Sequence, residues 1–221
     1  MIYFLTNSVG YDARKEGKSF MEILSRELLS DVKWFDYHTY LYTAIGVNFD
    51  SQKFIPKSDD IVILNFGIND CIFRKDKDIQ IKGVQALLDN SIKNNDVEGA
   101  TFLTRKFGLF KEKGETDLLQ LITYDEFRNY LDKIFSKVGK RTIVLSINWI
   151  VKSDVRIGWA YNEIVETNKI LCQKSQEYGL VFVDLFEPPD KTFDGTHFTE
   201  MGHKWVADKL RPILKSFYQK V

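Results

Sequence analysis

The amino-acid sequence predicts an α/β fold, a three-layer α/β/α sandwich in which helices cover both faces of a central parallel sheet. Short apolar segments alternate along the chain with segments of helical periodicity, as in proteins built from strand–helix–strand units. One apolar segment, 61–66, is nearly continuous, which is typical of a parallel strand covered on both faces. A chain of 221 residues can bury one sizeable core, so we expect a single domain over 1–221.

The elements follow from apolar spacing and from the residues that bound each segment. The predicted strands cover 2–5, 32–37, 61–66, 142–147 and 180–185. The predicted helices cover 18–29, 78–95, 123–137 and 160–176. A last helix is predicted from the apolar residues that share one of its faces: Trp205, Val206, Leu210, Ile213, Leu214 and Phe217. Thr123 is positioned for a capping box with Glu126, and Gly179 is a suitable C-terminal cap for the fourth helix.

The connection between the third and fourth strands is unusually long. More than seventy residues separate Phe66 from Thr142, whereas a crossover between parallel strands needs only about 10–12. We therefore predict a long helical insertion at about 75–138. Its irregular piece, 99–114, has apolar side chains without a regular period, and it is a candidate lid, a subunit contact or plain surface packing.

The composition bears on partners and compartment. Basic and acidic residues number 31 each, so no net field favours nucleic acid or an acidic membrane surface. No apolar run approaches the roughly 18 residues of a membrane span, and the first residues lack the features of a signal peptide. The two cysteines lack metal-ligand spacing. We expect a cytoplasmic protein with reduced thiols and without a metal or cofactor.

Polar residues follow several of the predicted strands. Ser8 comes after the first strand, Asn69 after the third, and His197 lies in the loop after the last. Because the carboxyl ends of parallel strands meet at one edge of a sheet, we expect these three residues at one edge. Asp194 lies three residues before His197, and a carboxylate that accepts from one imidazole nitrogen leaves the other free to act as a base.

The candidate functional residues, among them Gly46, Arg74 and His203, also have ordinary structural interpretations. Ser8 alone could be a turn residue or a helix N-cap. Gly46 is a candidate only because of its position in a long loop, and it could equally be an ordinary loop glycine. Arg74 follows Asn69 closely enough to meet an anionic substrate, but a solvated surface arginine is the commoner case. His203 could suggest a metal site, although its place at a helix start favours packing or capping.

Four segments stand out in order along the chain: Thr6-Asn7-Ser8, Gly46, Gly67-Ile68-Asn69-Asp70 and Asp194-Gly195-Thr196-His197. Taken together and in this order, they resemble the sequence blocks of SGNH (GDSL-type) hydrolases. The resemblance spans nearly the whole chain and implies a flavodoxin-like sheet of the SGNH type. Its first block departs from the usual Gly-Asp-Ser-Leu, because Thr6 puts a β-branched side chain where glycine leaves room.

The resemblance implies a role for each of these residues. Ser8 would be the nucleophile, His197 the general base and acid, and Asp194 its orienting partner. The backbone N–H groups of Ser8 and Gly46 and the side chain of Asn69 would form the oxyanion hole. The chemistry needs these residue types, because a serine hydroxyl requires a nearby base and a tetrahedral oxyanion requires fixed donors.

The leading functional hypothesis is a serine esterase that acts on small acyl esters, especially O-acetyl groups of a carbohydrate or polysaccharide precursor. An acyltransferase that uses the same acyl-enzyme is the first alternative, and a catalytically retired carbohydrate-binding domain is the second. A nucleotide-binding domain is disfavoured because the segment after the first strand lacks a glycine-rich phosphate loop. The expected partner is a small-molecule or carbohydrate ester, and a homo-oligomer remains an option.

Overall fold

The computed structural model describes residues 1–6, 17–28, 32–36, 56–68, 73–74, 119–120, 123–148, 161–187 and 197–219. Within these ranges lie seven strands and four helices. The strands are β1 (Ile2–Thr6), β2 (Val32–Asp36), β3 (Ile61–Asn65), β4 (Phe73–Arg74), β5 (Leu119–Gln120), β6 (Thr142–Leu145) and β7 (Val181–Val183). The helices are α1 (Phe20–Leu28), α2 (Tyr124–Phe135), α3 (Tyr161–Glu177) and α4 (Glu200–Tyr218).

Five strands form one parallel sheet in the order β2-β1-β3-β6-β7. Counting these five strands alone, the order is 2-1-3-4-5, which is the flavodoxin-like arrangement. The chain reverses its direction across the sheet between β1 and β3, and ligands bind at such a switch point in open α/β sheets. The predicted parallel sheet is thereby confirmed.

The helices form two packed pairs. Helix α1 contacts α4, and helix α2 contacts α3. Crossovers between parallel strands are right-handed, and the chain moves in opposite directions from β1 to β2 and from β3 to β6. The crossover helices α1 and α2 therefore belong to opposite faces of the sheet. This arrangement gives the three-layer α/β/α sandwich that the sequence predicts.

The predicted helix ends at Thr123 and Gly179 are confirmed. The Thr123 hydroxyl accepts from the Glu126 N–H, and the Glu126 carboxylate accepts from the Thr123 N–H at 2.8 Å, which completes a capping box. Gly179 has φ +64°, and its N–H donates to the Gln176 carbonyl at 3.0 Å. The Leu180 N–H donates to the Ser175 carbonyl at 2.8 Å, so α3 ends in a Schellman motif.

The insertion between β3 and β6 is described only in part. Strands β4 and β5 pair in an antiparallel manner and bring 73–74 beside 119–120. The sequence did not predict these two strands. Helix α2, which lies within the predicted insertion, buries four residues against the core: Phe127, Leu131, Ile134 and Phe135. The predicted helix 78–95 and the irregular piece 99–114 lie outside the described residues.

An ion pair joins α1 to α4. The Arg211 guanidinium donates from Nε and Nη2 to the two carboxylate oxygens of Glu27, at 2.8 and 2.9 Å. This hydrogen bonding by Arg211 holds the pKa of the Glu27 carboxyl below its ordinary value. The stability that results is present above the unfolded pKa of about 4.3 and is lost as pH falls through the lower folded pKa.

We expect Glu27→Gln to lower the free energy of unfolding at pH 7 by at most about 1 kcal/mol, because both side chains are partly exposed and screened by solvent. The difference from the wild type should disappear at acidic pH, well below the unfolded pKa of about 4.3, where the Glu27 carboxyl is protonated. Denaturant unfolding at both pH values measures it, and Glu166→Gln, in an exposed pair with Lys169 within α3, is the control. Equal destabilisation at both pH values would mean that the loss of stability comes from altered packing or hydrogen bonding and not from the lost charge of Glu27.

Candidate active site

The carboxyl ends of β1 and β3 carry buried polar side chains. Thr6 and Asn65 are the last residues of these strands, and they are register partners. Thr6 is 1% exposed, and its hydroxyl donates to the Met21 sulfur at 3.6 Å. Asn65 is 2% exposed, and its Oδ1 atom accepts no hydrogen bond from the residues that the structure describes. Ser8 follows two residues after Thr6, so its segment leaves the sheet from this edge.

The first turns of α1 and α4 are joined. Lys18 Nζ lies 2.9 Å from a carboxylate oxygen of Glu200, the first residue of α4. The Phe20 N–H donates to Nδ1 of His203 at 3.4 Å, and the two rings lie 6.0 Å apart. Helix α1 follows the segment of Ser8, and α4 follows the segment of His197. The two segments therefore end at adjacent positions in the fold.

His197 lies two residues before the N-cap of α4 and is half-buried. The cap is Thr199, whose hydroxyl accepts from the Gly202 N–H at 3.0 Å. Between them Phe198 is 1% exposed, and its ring lies edge-on to His203 at 5.7 Å. The buried Phe198 and the cap fix the backbone on the C-terminal side of His197. This arrangement suits a residue that must be held in place.

His203 is a core residue, as predicted. Its side chain is fully buried, and its ring contacts Phe20 and Phe198. Over the residues that the structure describes, no group of three His, Cys, Asp or Glu side chains is placed to bind a metal ion.

The turn after β3 requires a glycine. Gly67 has φ +105°, a backbone conformation that residues with a Cβ atom rarely adopt. A Cβ atom placed there would lie 3.0 Å from Cδ1 and 3.2 Å from Cγ1 of Ile147, which is closer than packed carbon atoms normally come. Asn69 follows two residues later. The backbone thus turns sharply, against the chain that leaves β6, just before Asn69.

The ends of β6 and β7 are held by a buried serine. Ser146 donates from Oγ to a carboxylate oxygen of Asp184 at 3.1 Å, and the same Oγ accepts from the Leu185 N–H at 2.7 Å. That Asp184 oxygen also accepts from the Phe186 N–H at 2.9 Å. This network fixes the chain where it leaves the sheet toward the segment that contains Asp194 and His197.

Of the predicted site residues, only His197 is described in full. Ser8, Gly46, Asn69 and Asp194 lie outside the described residues. The backbone of Arg74 lies in β4, and its side chain is not described.

Three features could not be recognised, or were not, from the sequence. They are the buried amide of Asn65, the positive φ of Gly67 and the contacts that Asn168 makes with Ile147. One feature of the sequence could have indicated Asn65, namely that it is a polar residue at the end of an otherwise apolar strand segment. No feature of the sequence could have indicated Asn168, because a helical sequence does not show what a side-chain amide will contact.

Ligands bind beyond the carboxyl ends of the strands in open α/β sheets, and the turn at Gly67 begins at this edge. The sequence profile of the GDSL-like lipase/acylhydrolase family matches residues 27–210, and the chain belongs to this family. The matched range includes Asn69, Asp194 and His197 and begins after Ser8. No curated protein sequence matches the chain significantly.

The fold is similar to that of several solved structures. A lipase/acylhydrolase from Enterococcus faecalis is 13% identical, with a TM-score of 0.57 over 99% of this chain and 95% of that one. An α/β hydrolase from the metagenome of Lake Arreo, Spain, is also 13% identical, with a TM-score of 0.57 over 96% and 93% of the two chains. A variant of an acetyl xylan esterase from Geobacillus stearothermophilus is 14% identical, with a TM-score of 0.56 over 96% and 93%.

The family match and the sequence resemblance thus agree on a serine hydrolase. Along the described part of the chain, no helix combines the length and apolar character needed to cross a bilayer.

Proposed function

We propose that this chain removes small acyl groups, above all O-acetyl groups, from a carbohydrate or a polysaccharide precursor. The observation that carries the proposed mechanism is the contact between the N-terminal ends of α1 and α4. Helix α1 follows the segment of Ser8, and α4 follows the segment of His197. A nucleophile and a base separated by nearly the whole sequence would then stand at one edge. The expected distance between Ser8 Oγ and a ring nitrogen of His197 is about 2.6–3.5 Å, because hydrogen bonds of this kind are often loose without substrate.

The reaction proceeds through an acyl-enzyme. Ser8 Oγ attacks the ester carbonyl carbon while His197 takes the hydroxyl proton. The tetrahedral intermediate collapses, the bond to the sugar oxygen breaks, and His197 gives the proton to that oxygen, which leaves as a hydroxyl group. A water molecule, deprotonated by His197, then attacks the acyl-enzyme. The second tetrahedral intermediate collapses, the bond to Ser8 Oγ breaks, and His197 returns the proton to this oxygen as the acid leaves. Asp194 accepts from the second ring nitrogen and stabilises the imidazolium that forms.

The negative charge on the carbonyl oxygen requires donors at fixed positions. The backbone N–H groups of Ser8 and Gly46 and the side-chain amide of Asn69 serve this purpose in the proposed mechanism. The turn at Gly67 supports this role, since it directs the chain abruptly just before Asn69. Arg74 is a further candidate for contact with an anionic group of the substrate.

The preference for acetyl esters is supported by relatives of similar fold. The acetylxylan esterase from Geobacillus stearothermophilus matches 96% of this chain, also in two catalytic mutants in which alanine replaces a serine or an aspartate. A second acetyl xylan esterase matches with a TM-score of 0.54 and 12% identity. By analogy, a serine and an aspartate here would serve acetyl ester hydrolysis.

Labelling with a fluorophosphonate probe tests the nucleophile. The wild-type protein should become labelled and Ser8→Ala should not, because the probe reacts with an activated serine. Ser216→Ala is the matched control, since this α4 hydroxyl donates to the Ile213 carbonyl within its own helix, and it should label like the wild type. Labelling that persists in Ser8→Ala would overturn the proposal. A protein that takes no label would instead match a retired, carbohydrate-binding domain.

Release of acetate from acetylated xylo-oligosaccharide then tests the substrate class. A faster turnover of long-chain aryl esters than of acetyl esters would contradict the proposed preference while leaving the serine mechanism intact.

A further inference from the structure

The hydrogen-bonded ladder between β3 and β6 does not reach the edge where the proposed site stands. Its last register pair is Leu64 with Val144. Beyond this pair the two chains continue as 65–68 and 145–148, and all eight of these residues are buried. Something other than the ladder must therefore fix the turn that precedes Asn69 against the rest of the sheet.

One side chain of α3 holds the chain beyond β6. The Ile147 N–H donates to Oδ1 of Asn168 at 2.8 Å, and Nδ2 of Asn168 donates to the Ile147 carbonyl at 3.0 Å. A single amide thus binds both backbone groups of one residue, as a neighbouring strand would. Because Ile147 is 1% exposed, leaving those groups without partners would be costly.

The side chain of Ile147 in turn lies against the turn after β3. A Cβ atom built on Gly67 would stand 3.0 Å from Ile147 Cδ1, so the isoleucine occupies the space beside the glycine backbone. Phe127 of α2 closes the same space, since its Cζ atom would lie 3.8 Å from that Cβ position. A movement of Ile147 would therefore be transmitted to Gly67, because interiors are close-packed and pass displacements on.

We propose that Asn168 is a positioning residue for the oxyanion hole. It holds Ile147, Ile147 holds Gly67, and Gly67 sets the position of the Asn69 amide two residues later. This inference rests on the proposed function, because it gives the Asn69 side chain a role in the reaction. Asn168 itself touches neither substrate nor reacting atoms.

A double-mutant cycle on an aryl acetate tests the inference. Asn168→Ala should lower kcat by about tenfold to a hundredfold with KM little changed, because a displaced donor stabilises the transition state less well. In an Asn69→Ala background the same substitution should change kcat by less than about threefold, since no amide remains to be positioned. A merely structural role would lower kcat by the same factor in both backgrounds, and that result would overturn the inference.

Two controls separate positioning from loss of stability. Gln173→Ala removes another α3 amide, one that bonds Glu177 within the same helix, and it should leave kcat unchanged. Lys174→Met breaks the ion pair between α3 and Asp132 of α2, and it should lower Tm without lowering kcat. A loss of kcat in Lys174→Met as large as that in Asn168→Ala would also overturn the inference.

A second substitution keeps the test open if Asn168→Ala does not fold. Ile147→Val preserves the backbone bonds to Asn168 and removes the Cδ1 methyl beside Gly67. Its loss of kcat should likewise vanish in the Asn69→Ala background, and a loss that persists there would count against the inference. Persistence of fluorophosphonate labelling in Ser8→Ala would be a separate failure, that of the proposed function and of this inference with it.

Discussion

Replacing His197 with alanine is expected to lower kcat on an aryl acetate by about 10⁴- to 10⁶-fold. A serine hydroxyl is a weak nucleophile until a base takes its proton, and in the proposed mechanism His197 is the base for Ser8. The same imidazole protonates the leaving oxygen, so both halves of the reaction lose their catalyst. Steady-state kinetics with purified variants measure the loss, and KM should change far less than kcat.

The chain offers a matched histidine as the control. His203 lies in the same helix-start region, fully buried against Phe20 and Phe198. His203→Leu should lower Tm and reduce kcat far less than His197→Ala does. The double variant Ser8→Ala/His197→Ala should be no less active than either single variant, because the two residues act as a unit. A His197→Ala protein with wild-type turnover would show that another group takes the Ser8 proton.

The sheet could be predicted from the sequence because burial on both faces leaves a clear mark. β1 and β3 are apolar at every position except their last residues, Thr6 and Asn65, and all their residues are buried. Such segments have one stable place in an α/β protein, the interior of a parallel sheet. The helix ends at Thr123 and Gly179 could be predicted because capping depends on residues close together in sequence.

Two of the predicted strands extend two residues too far, for a physical reason that periodicity cannot reveal. The apolar segment 142–147 continues, but β6 ends at Leu145, since Asn168 takes the backbone groups of Ile147. The segment 180–185 likewise continues beyond β7, which ends at Val183, since Ser146 accepts the Leu185 N–H. In both cases a polar side chain from another element replaces the neighbouring strand.

The candidate site could be predicted only as far as chain order and strand context allow. That His197 stands near a helix start is visible in the sequence, because Thr199 is a good N-cap residue. That this helix start packs on α1 is not visible, since the contact between Phe20 and His203 joins residues 183 positions apart. Strands β4 and β5 were missed because two-residue segments have no period to detect.

Replacing Asn69 with alanine is expected to lower kcat by about 10²- to 10³-fold and to leave KM nearly unchanged. In the proposed mechanism the amide donates to an oxygen that becomes negatively charged only as the transition state forms. Its removal therefore raises the barrier without weakening the binding of the ester. Initial rates over a range of aryl acetate concentrations give both constants.

Two further substitutions show whether donation is the cause. Asn69→Asp keeps the shape of the side chain and removes its donors, so its kcat should be at least as low as that of Asn69→Ala. Asn162→Ala removes an exposed amide from α3 and should behave like the wild type. Unaltered turnover in Asn69→Ala, together with a lower Tm, would mean that this side chain only holds the turn that begins at Gly67. The oxyanion would then depend on backbone donors, and the loss of kcat expected for Asn168→Ala would have to arise elsewhere.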